Sequence, residues 1–335
     1  MDKSLISSEA LRAHLRLEWG GDVEDLLAPV LLDPVKEFLS RPGKRFRGKL
    51  VEMGFRLLVS DLSMEQTQLC ARASALLETL HAGSLVVDDI QDDSEFRRGQ
   101  PTLHRQHGVP LALNAGNWLY FWPLDGVREW GLAADQEVCI YRLCHETLFR
   151  AHFGQALDLG VPIDELAQSR IPEVSWASLE LKTGALMGLG IALGGLLAGG
   201  TDEEIAKFSR FGNAFGIALQ MFDDLGNLGS SRRETDPKQL EDLRLRRPSA
   251  VWAIAAETQS PESFTQFIES VKALPEDEKI WAWISEHDFI RLGKMRAGIA
   301  LQNALTDLDR DRNGKGAAAW KELKDTAQRL TESYG

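Results

Sequence analysis

Two stretches concentrate residues that could do chemistry. In HAGSLVVDDIQDDSEFRRGQP, His81 to Pro101, an apolar helical run ends in Asp88, Asp89 and Asp92, with Arg97 and Arg98 close behind. At roughly 100° per residue, His81, Asp88 and Asp92 fall within about 40° of one another, so one helix face carries an imidazole and two carboxylates. The second stretch, QMFDDLGNL, puts Gln220, Asp223, Asp224 and Asn227 on one stripe of another helix. Acids that end an apolar stripe cost several kcal/mol of desolvation unless something compensates their charge. All the ligands are oxygens, which suits magnesium, an ion that keeps waters for a substrate phosphate to displace.

Basic residues indicate the sign of the ligand. Lys44, Arg45, Arg47, Arg97, Arg98 and Lys182 sit near helix ends or near the acids, where ammonium and guanidinium groups take phosphate oxygens. A cation-bridged diphosphate accounts for both charges.

The elements that must position these groups are helices, because apolar residues recur at three and four and hardly anywhere alternate. Residues 8 to 18 and 24 to 40 read as the first two helices, and GKRFRGKL, Gly43 to Leu50, begins a third. Ser63 and Gln66 form a capping-box pattern ahead of the long helix that carries the first acids. Pro110 opens another helix, and 134 to 160 and 173 to 199 are two more, the latter rich in glycine that implies close helix approach. Thr201 and Glu204 cap the helix of the second acids. Residues 229 to 247 read as a surface loop, and helices fill 249 to 333. Facing helices of one bundle can bring the two acidic clusters together. One domain over residues 1 to 335 is expected, without internal repeats.

A net charge of −12, from 38 basic and 50 acidic residues, argues against broad nucleic-acid binding. Three cysteines in no ligand pattern favour a reducing, cytoplasmic setting. The start has no signal-peptide pattern, and Met187 to Gly200 is too short to span a bilayer, so no transmembrane segment is expected. Asp309, Asp311, Asn313 and Gly314 mimic a calcium loop, but Trp320 stands where its bidentate Glu belongs. His145 and Glu146 begin a zinc-protease pattern, but Phe149 replaces its second His.

GKR followed by FRGKL, HxxSLxxDDxxDxSxxRRGxP, GQALDL, LKTGALMGLG and QMFDDLGNL together resemble the ordered motifs of the trans-isoprenyl diphosphate synthases, over roughly residues 40 to 255. DDIQDDSEFRRG, NAGNWLYF and DDLGNL are most similar to geranylgeranyl diphosphate synthases of the eukaryotic type. The resemblance implies an all-α isoprenoid synthase bundle around a deep central cavity, usually homodimeric. It implies a prenyltransferase that condenses isopentenyl diphosphate with an allylic diphosphate.

Position by position, the resemblance has Asp88 and Asp92 hold two magnesium ions on the allylic diphosphate and Asp223 a third, with Asp224 and Asn227 in support. Lys44, Arg47, His81 and Arg98 would bind isopentenyl diphosphate, and Arg97 and Lys182 the allylic diphosphate. Thr183 and Gln220 would face the nascent cation, while Asp89, Gln155 and Asp158 support the site. Small Gly83 and Ser84 would leave room below the first acids, and Trp118, Phe121 and Trp122 could close the floor, which fits a C20 product.

The chain departs from the family's commoner pattern at Asn227 for a third Asp, Gly48 for Pro, Val87 for His, and Arg247-Pro248-Ser249 for Lys-x-Thr. A terpene cyclase of the same class would need no second diphosphate site, whereas GKRFR, His81 and Arg98 look like one. A non-catalytic regulatory subunit would be expected to have lost its acids, and Asp88, Asp92 and Asp223 are all present.

Overall fold

The computed structural model describes residues 21–43, 46–228, 239–311 and 316–333. The helix expected at residues 8 to 18 lies outside them, as do Lys44 and Arg45. The described chain is all-helical except for a small hairpin. It gathers into two compact units, one from residues 1–49 and 67–137, the other from residues 50–66 and 138–335.

The first unit contains α1 (Gly21–Leu27), a π-helical stretch (Ala28–Leu32), α2 (Asp33–Ser40), the first turn of α3 (Phe46–Arg56) and most of α4 (Met64–Gln91). The hairpin β1 (Phe96–Arg97) and β2 (Gln100–Pro101) follows, then α5 (Leu103–His107) and α6 (Val109–Asp125). The expected cap on α4 is present: the Ser63 N–H donates to Gln66 Oε1 at 2.9 Å, and the Gln66 N–H to Ser63 Oγ at 3.2 Å. The core joins Val35 and Phe38 of α2, Val86 of α4, and Ala112, Ala115 and Leu119 of α6.

α4 and α6 cross at paired glycines. A Cβ on Gly83 would lie 2.9 Å from the Gly116 carbonyl oxygen, and one on Gly116 would lie 2.9 Å from Val87 Cγ2. Helix packing therefore gives Gly83 a reason to be small that its position in the sequence did not reveal.

The hairpin departs from the purely helical expectation. Phe96 pairs with Pro101 and Arg97 with Gln100, while Arg98 (φ 55°) and Gly99 (φ 76°) form the two-residue turn. Two successive left-handed residues match the twist of such a short hairpin. Four residues of strand are too few for alternation to show in the sequence. Buried Arg41, just after α2, fastens the hairpin by donating to the carbonyls of Arg97 at 3.3 Å and Pro101 at 2.9 Å.

In the second unit, α7 (Ala134–Gly160) leads to α8 (Ile171–Leu179), a π-helical turn (Glu180–Gly184) and α9 (Ala185–Leu197). Every residue of α9 is buried. Its glycines do permit the close approach expected: a Cβ on Gly212 of α10 (Asp202–Gly226) would lie 2.6 Å from the Met187 carbonyl oxygen. By length and apolarity Gln168–Leu197 could cross a membrane, which Met187 to Gly200 alone could not, but most of that run is buried inside the unit. Thr201 and Glu204 cap α10 reciprocally.

The loop expected at 229 to 247 needs correction. Residues 229–238 lie outside the described residues, but from Leu240 the chain folds into the short α11 (Glu241–Arg244) and buries Leu240 and Leu243. The apolar pair draws this polar segment onto the unit. After α12 (Ala250–Thr258), further helices run to Ser333, and Trp252, Phe267, Trp283 and Phe289 pack edge-on and tilted into one aromatic cluster. Trp320, which breaks the calcium-loop pattern, is a buried core residue.

Candidate active site

In the first unit the acids diverge by role. Asp88 and Asp92 lie one turn apart and are partly exposed, whereas Asp89 points into the protein. The Asp88 side chain is 20% exposed and that of Asp89 1%. One residue along a helix turns the side chain by about 100°, enough to move it from rim to interior.

Asp89 is held by the hairpin: Arg97 Nη2 lies 2.5 Å and Arg97 Nε 2.6 Å from Asp89 Oδ1, while Arg97 Nη2 stays 3.6 Å from Asp88. Burial pushes the Asp89 carboxyl up, and Arg97 opposes that shift. Arg98 occupies the hairpin turn with its guanidinium packed on Gly43.

Arg47 Nη1 lies 3.1 Å from His81 Nε2. A guanidinium can only donate, so Nε2 accepts and the ring proton sits on Nδ1, where Ser84 Oγ lies at 3.4 Å. Ser84 Oγ in turn donates to the His81 carbonyl at 2.8 Å. Burial, then Arg47, Arg98 and Arg97, hold His81 well below the usual imidazole range, so the ring is neutral.

Among the aromatics, Trp118 and Trp122 stack at 4.9 Å between centroids and pack on the unit's core. Phe121 does not join them: it is 71% exposed, because one helical step turns it away from the core. The expectation that the three act together is corrected for Phe121.

In the second unit, Lys182 and Thr183 ride on the π-helical turn. Such a turn inserts an extra residue, and turns of this kind recur at functional sites. Lys182 Nζ lies 2.9 Å from Asp158 Oδ2, with Arg247 Nη1 at 3.6 Å from the same oxygen. Arg247 thus stands beside Lys182 despite the departure from Lys-x-Thr. Gln155 is half-buried one turn before Asp158 on α7.

The second acids also diverge. Asp223 is exposed and Asp224 is 3% exposed, so neighbours on the expected stripe divide between surface and interior. Asp224 accepts from the Ala250 N–H and from Gln220 Nε2, each at 2.8 Å. That bond orients the Gln220 amide, whose Oε1 accepts from Thr183 Oγ1 at 3.3 Å. Asn227 closes α10, its N–H donating to the Asp223 carbonyl.

Some contributing residues were not recognised in the sequence. Tyr120 of α6 lies near enough to Asp88 that burial and this charge push its hydroxyl up to about 12. Asp242 of α11 lies among Asp158, Lys182 and Arg247, and burial raises its carboxyl. Arg41, Ser74 and Glu78 position the basic elements. Ser74, Glu78 and His81 do share one face of α4, and that polar stripe was the available signal.

Among the described residues, no three His, Cys, Asp or Glu side chains converge as a ready-made metal cage. Magnesium needs none, because one or two carboxylates, waters and a phosphate complete its shell. The oxygen-only pair Asp88 and Asp92 fits that demand. Beside them, Asp89 Oδ2 is buried with no hydrogen-bond partner among the described residues.

The sequence profile of the polyprenyl synthetase family matches residues 28–286. The chain belongs to the polyprenyl synthetase family. Within that family it is 30% identical over 220 residues to a geranylgeranyl diphosphate synthase of Sulfolobus acidocaldarius, covering 64% of each chain. The chain therefore spans just under two thirds of that relative's length. It is 29% identical over 233 residues to a geranylgeranyl pyrophosphate synthase of Mucor circinelloides f. lusitanicus, covering 70% of each. A solved geranylgeranyl pyrophosphate synthase of Corynebacterium glutamicum, complexed with isoprenyl diphosphate and magnesium, matches with TM-score 0.76 and 25% identity. That match covers 98% of this chain and 96% of the other. The polyprenyl synthetase motifs named in the sequence all fall within residues 28–286.

Proposed function

We propose that the chain is a trans-prenyltransferase that elongates an allylic diphosphate with isopentenyl diphosphate, to geranylgeranyl diphosphate, and that residues 1 to 335 form one isoprenoid-synthase domain. The carrying observation is the division of each acid pair into an outward member, Asp88 or Asp223, and a buried, fastened one, Asp89 or Asp224. A purely structural pair would not need the outward charge.

In this reading Asp88, Asp92 and Asp223 hold magnesium, three ions in all, with Asp89, Asp224 and Asn227 in support. The bound ions would neutralise the diphosphate as it leaves the allylic carbon. Arg97 and Lys182 bind the allylic diphosphate, and Lys44, Arg47, His81 and Arg98 take isopentenyl diphosphate. Asp158 steadies Lys182, and Gln155 supports the site.

The allylic C–O bond breaks and leaves a cation at C1. The isopentenyl double bond attacks it, forming the new C–C bond, and a proton then passes to the departed diphosphate. Gln220 Oε1 and Thr183 present oxygen dipoles to the developing positive charge, and the bond to Asp224 keeps that amide oriented. Ser84, with the stacked Trp118 and Trp122, bears on product length. The exposed Val138, Phe149 and Phe153 along α7 support a homodimer.

The test incubates the protein with magnesium, labelled isopentenyl diphosphate and, separately, five-, ten- and fifteen-carbon allylic diphosphates, and chromatographs the products. Elongation that stops at C20, and is lost in EDTA, is expected. No elongation from any primer sinks the reading, and a different product sinks only the length assignment.

A further inference from the structure

The start of α3 is tied to α4 through the backbone of one residue. The Gly48 N–H donates to Glu78 Oε1 at 2.8 Å, and the Gly48 carbonyl accepts from Ser74 Oγ at 2.7 Å. Ser74, Glu78 and His81 lie at i, i+4 and i+7, on one face of α4. His81 engages the adjoining side chain, Arg47, at 3.1 Å. Successive turns of α4 thus hold two consecutive residues of α3.

Helix geometry explains the choice of groups. The first N–H groups of a helix have no acceptor within it, and the N-terminus favours negative charge. Glu78 supplies both an acceptor and that charge. A Cβ on Gly48 would lie 3.3 Å from Glu78 Cγ and from Ser74 Cβ, so a side chain there would press the clamp apart. A Pro at this position would have no N–H to be held. Gly48 therefore has a donor that a Pro would lack, and Glu78 uses it.

We propose that Glu78, aided by Ser74, is a positioning residue: it fixes the backbone from which Arg47 presents its guanidinium to the isopentenyl diphosphate. This rests on the reading that Arg47 binds that diphosphate. His81, neutral and accepting, steadies the Arg47 side chain, while Glu78 steadies its backbone. With both ends of the residue fixed, less conformational freedom is lost when the diphosphate arrives.

Titration calorimetry of isopentenyl diphosphate into the full chain tests this, with E78Q, E78L, G48P and E78L/G48P and parallel steady-state kinetics. E78Q keeps an oxygen acceptor without the charge and should weaken Kd by no more than about threefold, whereas E78L, which removes the acceptor as well, should weaken it about tenfold, the scale of one hydrogen bond. The KM for isopentenyl diphosphate should rise in step, with kcat and the allylic KM unchanged. In the G48P background E78L should cost nothing more, since the donor is gone. Melting curves confirm that each variant folds, and the contrast between E78L and E78Q suffices if G48P does not fold.

An unchanged Kd in E78L, or the same loss in both backgrounds, overturns the proposal. Binding without elongation in the parent protein defeats the functional reading, while the clamp is still judged by Kd. No binding by the parent overturns the clamp as well.

Discussion

Arg97 and Asp89 meet at a single oxygen: Arg97 Nη2 and Nε both reach Asp89 Oδ1, at 2.5 and 2.6 Å, and bind the hairpin to the end of α4. Asp89 is buried and Arg97 largely so, and removing Asp89 leaves a mostly desolvated guanidinium with only the more distant Asp88 to compensate it. Asp89→Ala should therefore lower stability by about 3 kcal/mol in urea unfolding. An unchanged midpoint would show that the hairpin is held by other bonds, such as those from Arg41.

The second acids separate stability from turnover. Asp224→Ala leaves the buried Ala250 N–H without its acceptor and should cost about 1 to 3 kcal/mol. Asp223→Ala should fold as the parent does and lose elongation by more than about 100-fold, the scale of a lost electrostatic contact to a transition state. If both variants unfold alike, Asp223 is a structural residue.

His81 sets a pH dependence with a definite sign. Its folded pKa lies below the ordinary 6.5, through burial and then Arg47, Arg98 and Arg97, so the unfolded chain binds the proton more readily. The stability it contributes is present above pH 6.5 and is lost as pH falls from there through the lower folded pKa. Protonation also removes the acceptor for Arg47. His81→Gln, which does not titrate, should flatten the melting temperature over that window, and a profile as steep as the parent's would clear His81 of the effect.

The glycine crossing should respond to a single methyl. Gly116→Ala would press Cβ on Val86 and Val87, and overpacking of this kind costs about 1 to 3 kcal/mol. Gly83→Ala should lose a similar amount with unchanged product length, because the methyl meets Leu119 and the Gly116 carbonyl and not the prenyl chain. Ser84→Phe should shorten the products. Chromatography of the three variants beside their melting curves separates packing from chain length, and a shorter product from Gly83→Ala would return that residue to the channel.

Much of this was legible in the residues. Ser63 with Gln66 and Thr201 with Glu204 are caps written within four positions, so local sequence contains both partners. The apolar period of three and four located the long helices, and Pro110 marked the start of α6. Arg41 was not legible as a fastener because the acceptors it reaches on the distant hairpin are backbone carbonyls, and any residue type offers a carbonyl. Asp242 lay in a polar stretch, and only the burial of Leu240 and Leu243 draws it inward.

The sequence by itself determined the helical class, the chemistry of acids and bases in register, and the family to which they belong, since each is carried by residue type and short spacing. Only the tertiary structure decided which acid of each pair faces outward. Asp88 and Asp89 are the same residue one position apart, as are Asp223 and Asp224, and although spacing groups Asp88 with Asp92 and the family resemblance assigns roles to all four, neither says which member is buried. Packing does: whichever side the helix turns to its neighbours receives the buried partner, Arg97 for Asp89 and the Ala250 N–H for Asp224, and the other carboxylate stays outside that interior.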